Sequence, residues 1–126
     1  MPARRVFKTA RFSKDAKKAH ISDVQLCAAI QQVVAGQADD LGGGVFKKRL
    51  NDNMHRAILL AKVGRNWIYE YLFAKKDREN IDDGELVAFR LLAKGYANLN
   101  EAQLAQLLAE QHLMEICHGD QAQVQE

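Results

Sequence analysis

Apolar and polar positions change rhythm along this chain, and the changes mark its elements. Between Val45 and Phe73 three runs rich in β-branched and aromatic residues are separated by short polar stretches: Val45–Leu50, Met54–Val63 and Trp67–Phe73. The breaks, Asn51-Asp52-Asn53 and Gly64-Arg65-Asn66, have hairpin length and composition, which predicts a three-stranded antiparallel meander. Arg5–Thr9 is a further short β-prone run. Elsewhere the period is helical. Ser22 and Gln25 form a capping-box pair, with Ile21 and Leu26 as its staple, ahead of Leu26, Cys27, Ile30, Val33 and Val34; Gly36 ends that helix. The same grammar recurs at Ile81-Asp82 with Glu85-Leu86, leading to Phe89, Ala93 and Tyr96 or Ala97. It recurs again at Leu99-Asn100 with Gln103-Leu104, leading to Leu107 and Leu108. Ser13 is expected to cap a short helix through Ala19, and Leu113–Cys117 reads equally as a short strand or a helix exit. The expected order is β-α-α-β-β-β-α-α. That is an α+β domain over residues 1–117, with an antiparallel sheet of about four strands, helices on one face, and a polar tail at 118–126.

Charge changes the picture more than composition does. The chain has 126 residues, 48% of them apolar, enough for one core, and a net charge of +2. Through Arg78 there are 16 basic residues against seven acidic ones; beyond it, two against nine. An excess of +9 in one part and −7 in the other points to a basic surface for a polyanion such as nucleic acid. Cys27 and Cys117 show no metal-ligand spacing and are expected as reduced, buried thiols in a cytoplasmic protein. Arg4-Arg5 is followed by only Val6-Phe7 before charge returns, which is no signal peptide, and the longest apolar run, Ala57–Ala61, is too short to cross a bilayer.

Most enzyme chemistries lack their residues. Gly42-Gly43-Gly44 is not followed by the Lys-Ser/Thr of a phosphate-binding loop and instead supplies backbone freedom at the entry to a strand. His20, His55, His112 and His118 are scattered, so neither a metal nor a cofactor is expected. Ser13 and Ser22 are explained as caps, and Glu70 is the one acid inside the three runs. What remains is cationic: Lys47, Lys48 and Arg49 on one strand, Arg56 on the next, and Lys75, Lys76 and Arg78 after the third. Alternation puts Lys47 and Arg49 on one face and Lys48 on the other. RNA can be cut by its own 2′-hydroxyl if a group takes that proton, cations stabilise the phosphorane, and the leaving 5′-oxygen is protonated. A lysine whose pKa is depressed by neighbouring cations suits the first task, and an arginine the second. This scheme requires Lys47, Arg49, Arg56 and Lys76 to converge on one hollow. Lys14, Lys17 and Lys18 share a helix face that is either a solvated face or a second RNA-contacting ridge. A basic strand edge also guards against aggregation.

Three segments resemble the RelE-like toxins of bacterial type II toxin–antitoxin modules, in a HigB-like branch of the RelE/ParE superfamily. They are Phe7-Lys8-Thr9 through Lys17-Lys18, Asp40-Leu41-Gly42-Gly43-Gly44-Val45-Phe46-Lys47-Lys48-Arg49, and Phe73-Ala74-Lys75-Lys76-Asp77-Arg78-Glu79-Asn80-Ile81. The resemblance implies a small sheet with two N-terminal helices, a bacterial cytoplasmic location, an antitoxin encoded nearby, and mRNA cleavage on the translating ribosome. It places catalytic roles on Lys47, Arg49, Arg56 and Lys76, and RNA contacts on Lys48, His55, Lys75, Arg78, Lys14, Lys17 and Lys18. His55 stands where an aromatic residue usually precedes the arginine, and no tyrosine stands near Asp82 where the RelE toxin has one. That departure keeps open a non-nuclease protein of the same fold: a gyrase-directed toxin, or a homologue that only binds its antitoxin. The antitoxin is expected to cover Lys47, Arg49 and Arg56 with an acidic face, because burying unpaired cations is costly.

Overall fold

The computed structural model describes residues 5–62 and 66–117. In chain order the elements are β1 (Arg5–Thr9), α1 (Ala10–Lys18), α2 (Asp23–Val34), β2 (Asp39–Gly42) and β3 (Val45–Leu50). They continue with β4 (His55–Lys62), β5 (Asn66–Ala74), α3 (Asp83–Ala97), α4 (Glu101–Ala109) and β6 (Leu113–Ile116). The fold is α+β, as the pattern predicts. The meander β3-β4-β5 forms, with Lys47 opposite Ile58 and Arg49 opposite Arg56. The predicted turn after Val63 lies mostly outside the described residues, as does the tail at 118–126.

The sheet is larger and less uniform than predicted. It has six strands in the order β2-β3-β4-β5-β1-β6, rather than about four. It is also mixed, since β1 pairs parallel with β5 and antiparallel with β6. β2 went unseen because Asp39-Asp40-Leu41-Gly42 is short and polar, with both aspartates exposed. It is paired through a tight turn in which Gly42, Gly43 and Gly44 all have positive φ (85°, 66° and 84°). Arg90 from α3 closes over this turn, donating to the carbonyls of Leu41 (2.6 Å) and Gly42 (3.3 Å).

Both faces of the sheet are covered, not one. α1 and α2 bring Phe12, Leu26, Ile30 and Val33 onto Val6, Leu59, Tyr69 and Leu72. On the other side Leu86, Phe89 and Ala93 of α3 and Leu104 of α4 meet Phe7, Ile58, Leu60, Ile68 and Phe73. A bulge in β5 switches which of its side chains meet each face: Leu59 faces Tyr69 but Ile58 faces Tyr71, leaving Glu70 as the extra residue. Tyr69 therefore turns toward α2, where its hydroxyl donates to the Leu26 carbonyl at 2.7 Å, while Tyr71 turns toward Phe89.

The three reciprocal caps form as predicted, on Ser22/Gln25, Asp82/Glu85 and Asn100/Gln103. Ser13 does not cap α1. Thr9 does, its side chain accepting from the Phe12 N–H at 3.0 Å, and Ser13 is buried inside the helix. Cys27 and Cys117 are not free thiols but a disulfide, with their Cα atoms 5.3 Å apart and a sequence separation of 90. The cause is the pairing of β6 with β1, which delivers Cys117 to the inner side of α2.

Candidate nucleic-acid groove

The groove is built around the β3–β4 turn. Asn51, Asp52 and Asn53 all adopt left-handed φ values, 55°, 53° and 72°, a conformation Asn and Asp tolerate better than other side chains. Arg56 holds the turn from beneath. It is only 8% exposed, and its Nη1 donates to the carbonyls of Asn53 (2.9 Å) and His55 (3.1 Å). The turn is tied to the end of β5 by the Lys75 N–H donating to the Met54 carbonyl at 2.9 Å. Asn51 reaches across to the Ala19 carbonyl (3.5 Å) and to His55 Nδ1 (3.2 Å). An amide N–H can only donate, so this contact fits the His55 tautomer in which Nδ1 accepts and Nε2 carries the hydrogen.

Two adjoining hollows result, between the end of α1, this turn and the segment after β5. The larger, about 750 Å³, is lined by Lys18, His20, His55, Lys75 and Lys76 among others. The smaller, about 360 Å³, adds Arg11, Tyr71, Asp77 and Arg78, and shares Lys18 and His55 with the first. Lys18, Lys75 and Lys76 are exposed and make no ion pair among the described residues. The two arginines are engaged. Arg11 stacks over the Tyr71 ring at 5.1 Å and lies 3.9 Å from Asp15. Arg78 grips both oxygens of Glu85, donates to the Asn80 carbonyl and covers the Phe73 ring. That pairing raises the Arg78 pKa and lowers that of Glu85.

The four residues assigned to catalysis do not share one cavity. Lys47, Arg49 and Arg56 lie on the α3 side of the sheet, as their register with Ile58 and Phe73 shows. Lys76 is in the groove at the end of the sheet. Lys47, Lys48 and Arg49 border a separate hollow of about 370 Å³ with Gly36–Asp39, where Lys47 Nζ is 3.8 Å from Asp39. Lys48 points opposite to its neighbours, as alternation requires. It is also the one described cation whose pKa is pushed down, first by burial and then by Arg49. Lys14 and Lys17 are exposed on α1.

Sequence reasoning missed Asn51 as the residue that orients His55, along with Arg11 and His20 as groove residues. The three-residue Asn-Asp-Asn run was the available signal. It also missed Glu70, whose carboxyl pKa is raised to about 7, chiefly by burial and against the opposing effects of the Tyr96 hydroxyl (3.4 Å) and Arg11.

A six-stranded α+β domain, helices on both faces and a cationic hollow at the rim of the sheet, is the class of protein this geometry defines. The chain belongs to the RelE family: the family described as the RelE toxin of the RelE/RelB toxin–antitoxin system matches residues 4–116. No curated protein and no solved structure matches the chain. Membership makes it a toxin of a toxin–antitoxin pair, with a cognate antitoxin as partner. Among the described residues no helix is long and apolar enough to cross a membrane.

Proposed function

We propose that this toxin arrests translation in the bacterial cytoplasm by cutting mRNA on the ribosome, through metal-independent attack of a 2′-hydroxyl on the adjacent phosphate. The observation that carries this reading is the meeting of Lys18, His55, Lys75 and Lys76 around one open hollow. Three unpaired ammonium groups offset the charge of the crowded phosphorane. With Nδ1 accepting from Asn51, the neutral His55 ring offers its Nε2–H as a hydrogen-bond donor to the crowded phosphate, while the Lys76 ammonium protonates the leaving 5′-oxygen and the 2′-hydroxyl proton passes to water. Lys47, Lys48 and Arg49 continue the cationic track at the β2–β3 edge and bind RNA backbone outside the cleavage point. Arg56 acts through the turn it supports. Lys14, Lys17 and Arg78 flank the groove. The antitoxin carries an acidic segment that fills it.

The division of the cations between two hollows, and the burial of Arg56, favour one alternative: a RelE-fold toxin that is not a nuclease and acts on gyrase or only binds its antitoxin. Primer extension on cellular mRNA after induced expression separates the two. New RNA 5′ ends that appear with the parent and disappear with His55→Ala and with Lys75→Glu/Lys76→Glu are the expected result. Growth arrest with a DNA-damage response and no new RNA ends would overturn the nuclease reading.

A further inference from the structure

One surface of this chain has no role in the fold or in the groove. α3 packs Leu86, Phe89 and Ala93 against the sheet, which satisfies its inner face. Its outer face is also apolar. Val87, Leu91 and Leu92 are 55%, 66% and 42% exposed, half of all the exposed large apolar residues described. With Ala88 between them and Gly84 and Gly95 at the ends, they make a stripe at helical spacing. Nothing lies within 4 Å of the place a side chain would occupy at Gly95, so another backbone can come close there.

Charge says what covers the stripe. Asp83 lies in the first turn of α3 and Lys94 in the last, eleven residues apart and therefore on the same flank of the stripe. We propose that two copies of this chain pair through α3, antiparallel about a two-fold axis near the middle of the helix. In that arrangement Val87 of one copy packs on Leu91 of the other, and Asp83 of each lies beside Lys94 of the other. The ion pair is thus made twice and the helix dipoles oppose each other. Parallel pairing would set Asp83 against Asp83 and Lys94 against Lys94, and is disfavoured. None of the stripe residues lines the RNA groove, so pairing leaves both grooves open. A single pair of helices, each about 22 Å long, buries less than a standard interface, which places the dissociation constant in the micromolar range.

Sedimentation equilibrium of the full chain across micromolar concentrations tests this. The mass is expected to rise from 14.2 kDa toward twice that value. Leu91→Glu, on an exposed position, keeps the parent's circular dichroism and stays monomeric. Asp83→Lys and Lys94→Asp each weaken association about three- to tenfold, and together they restore it. A chain monomeric throughout, a dimer indifferent to Leu91→Glu, or charge swaps that do not rescue each other would overturn the proposal. A monomer whose antitoxin binding is lost in Leu91→Glu would also overturn it, assigning the stripe to the antitoxin instead.

Discussion

Replacing Arg56 with methionine separates two roles that a positive side chain at this position can have. In the structure the guanidinium is buried, and Nη1 serves two carbonyls of the left-handed turn, those of Asn53 and His55. Methionine keeps most of the aliphatic stem packed while removing the donors. Hydrogen bonds from a charged donor contribute roughly 1.5–3 kcal/mol each, and the two here share one nitrogen. Part of the gain offsets the cost of burying the charge. The expected loss is therefore about 2–4 kcal/mol, a shift of the urea midpoint by about 1–2 M. Because the turn also positions His55 and Asn51, the RNA cleavage proposed above is expected to fall with it and to recover partly when the variant is assayed well below its unfolding transition. A variant whose stability lies within about 0.5 kcal/mol of the parent, yet which no longer cuts RNA, would refute this reasoning and return Arg56 to the phosphorane.

Reduction of the Cys27–Cys117 bond, or its replacement by two alanines, opens a loop closed across a sequence separation of 90. A drop of about 2–4 kcal/mol is expected in melts with and without reductant, and an unchanged melt would show that the bond does not constrain the chain. Glu70 titrates near 7 when folded and near 4.5 when not, so its contribution is complete below about pH 4.5 and is lost as pH rises through 7. Glu70→Gln should flatten the stability profile over that window and add about 1–2 kcal/mol at neutral pH, after allowance for its partial exposure; a parallel profile would contradict the raised pKa. Gly43→Ala places a Cβ 2.7 Å from Arg90 Cγ at a φ of 66°. It should cost about 1–3 kcal/mol by denaturant titration, with part recovered on adding Arg90→Ala; no recovery would mean that backbone strain alone accounts for the loss.

Local signals were legible and distant ones were not. Ser22, Asp82 and Asn100 announce their helices because a cap and its partner lie three residues apart. The meander was readable because Val45–Phe73 is a set of adjacent hairpins. The parallel pairing of β1 with β5 joins residues some sixty positions apart, and no short pattern encodes it. β6 beside β1 is equally non-local, and with it went the cysteine assignment. Which β5 side chains meet which face depends on the Glu70 bulge, a one-residue irregularity inside a run that otherwise reads as regular alternation. For the site, alternation correctly put Lys48 opposite Lys47 and Arg49, but it could not say which cations would be taken up by partners.

Pairing decides where a polyanion can bind. Arg5 is held by Glu115 at 2.9 Å and Glu101 at 3.4 Å, Lys8 by Asp23 at 2.7 Å, and Arg78 by Glu85. The acid-rich final third of the chain thus neutralises part of the basic first two-thirds within the fold itself. Arg56 is taken up by the turn, and Lys47 leans on Asp39. Among the described residues, the cations left without a carboxylate are chiefly Lys14, Lys17 and Lys18 on α1, Lys75 and Lys76 after β5, and Lys48 and Arg49 on β3. Helices cover both faces of the sheet, so none of these can be approached through its middle. A polyanion therefore meets these cations at the rim, where His55 stands among them with Nδ1 beside the Asn51 amide.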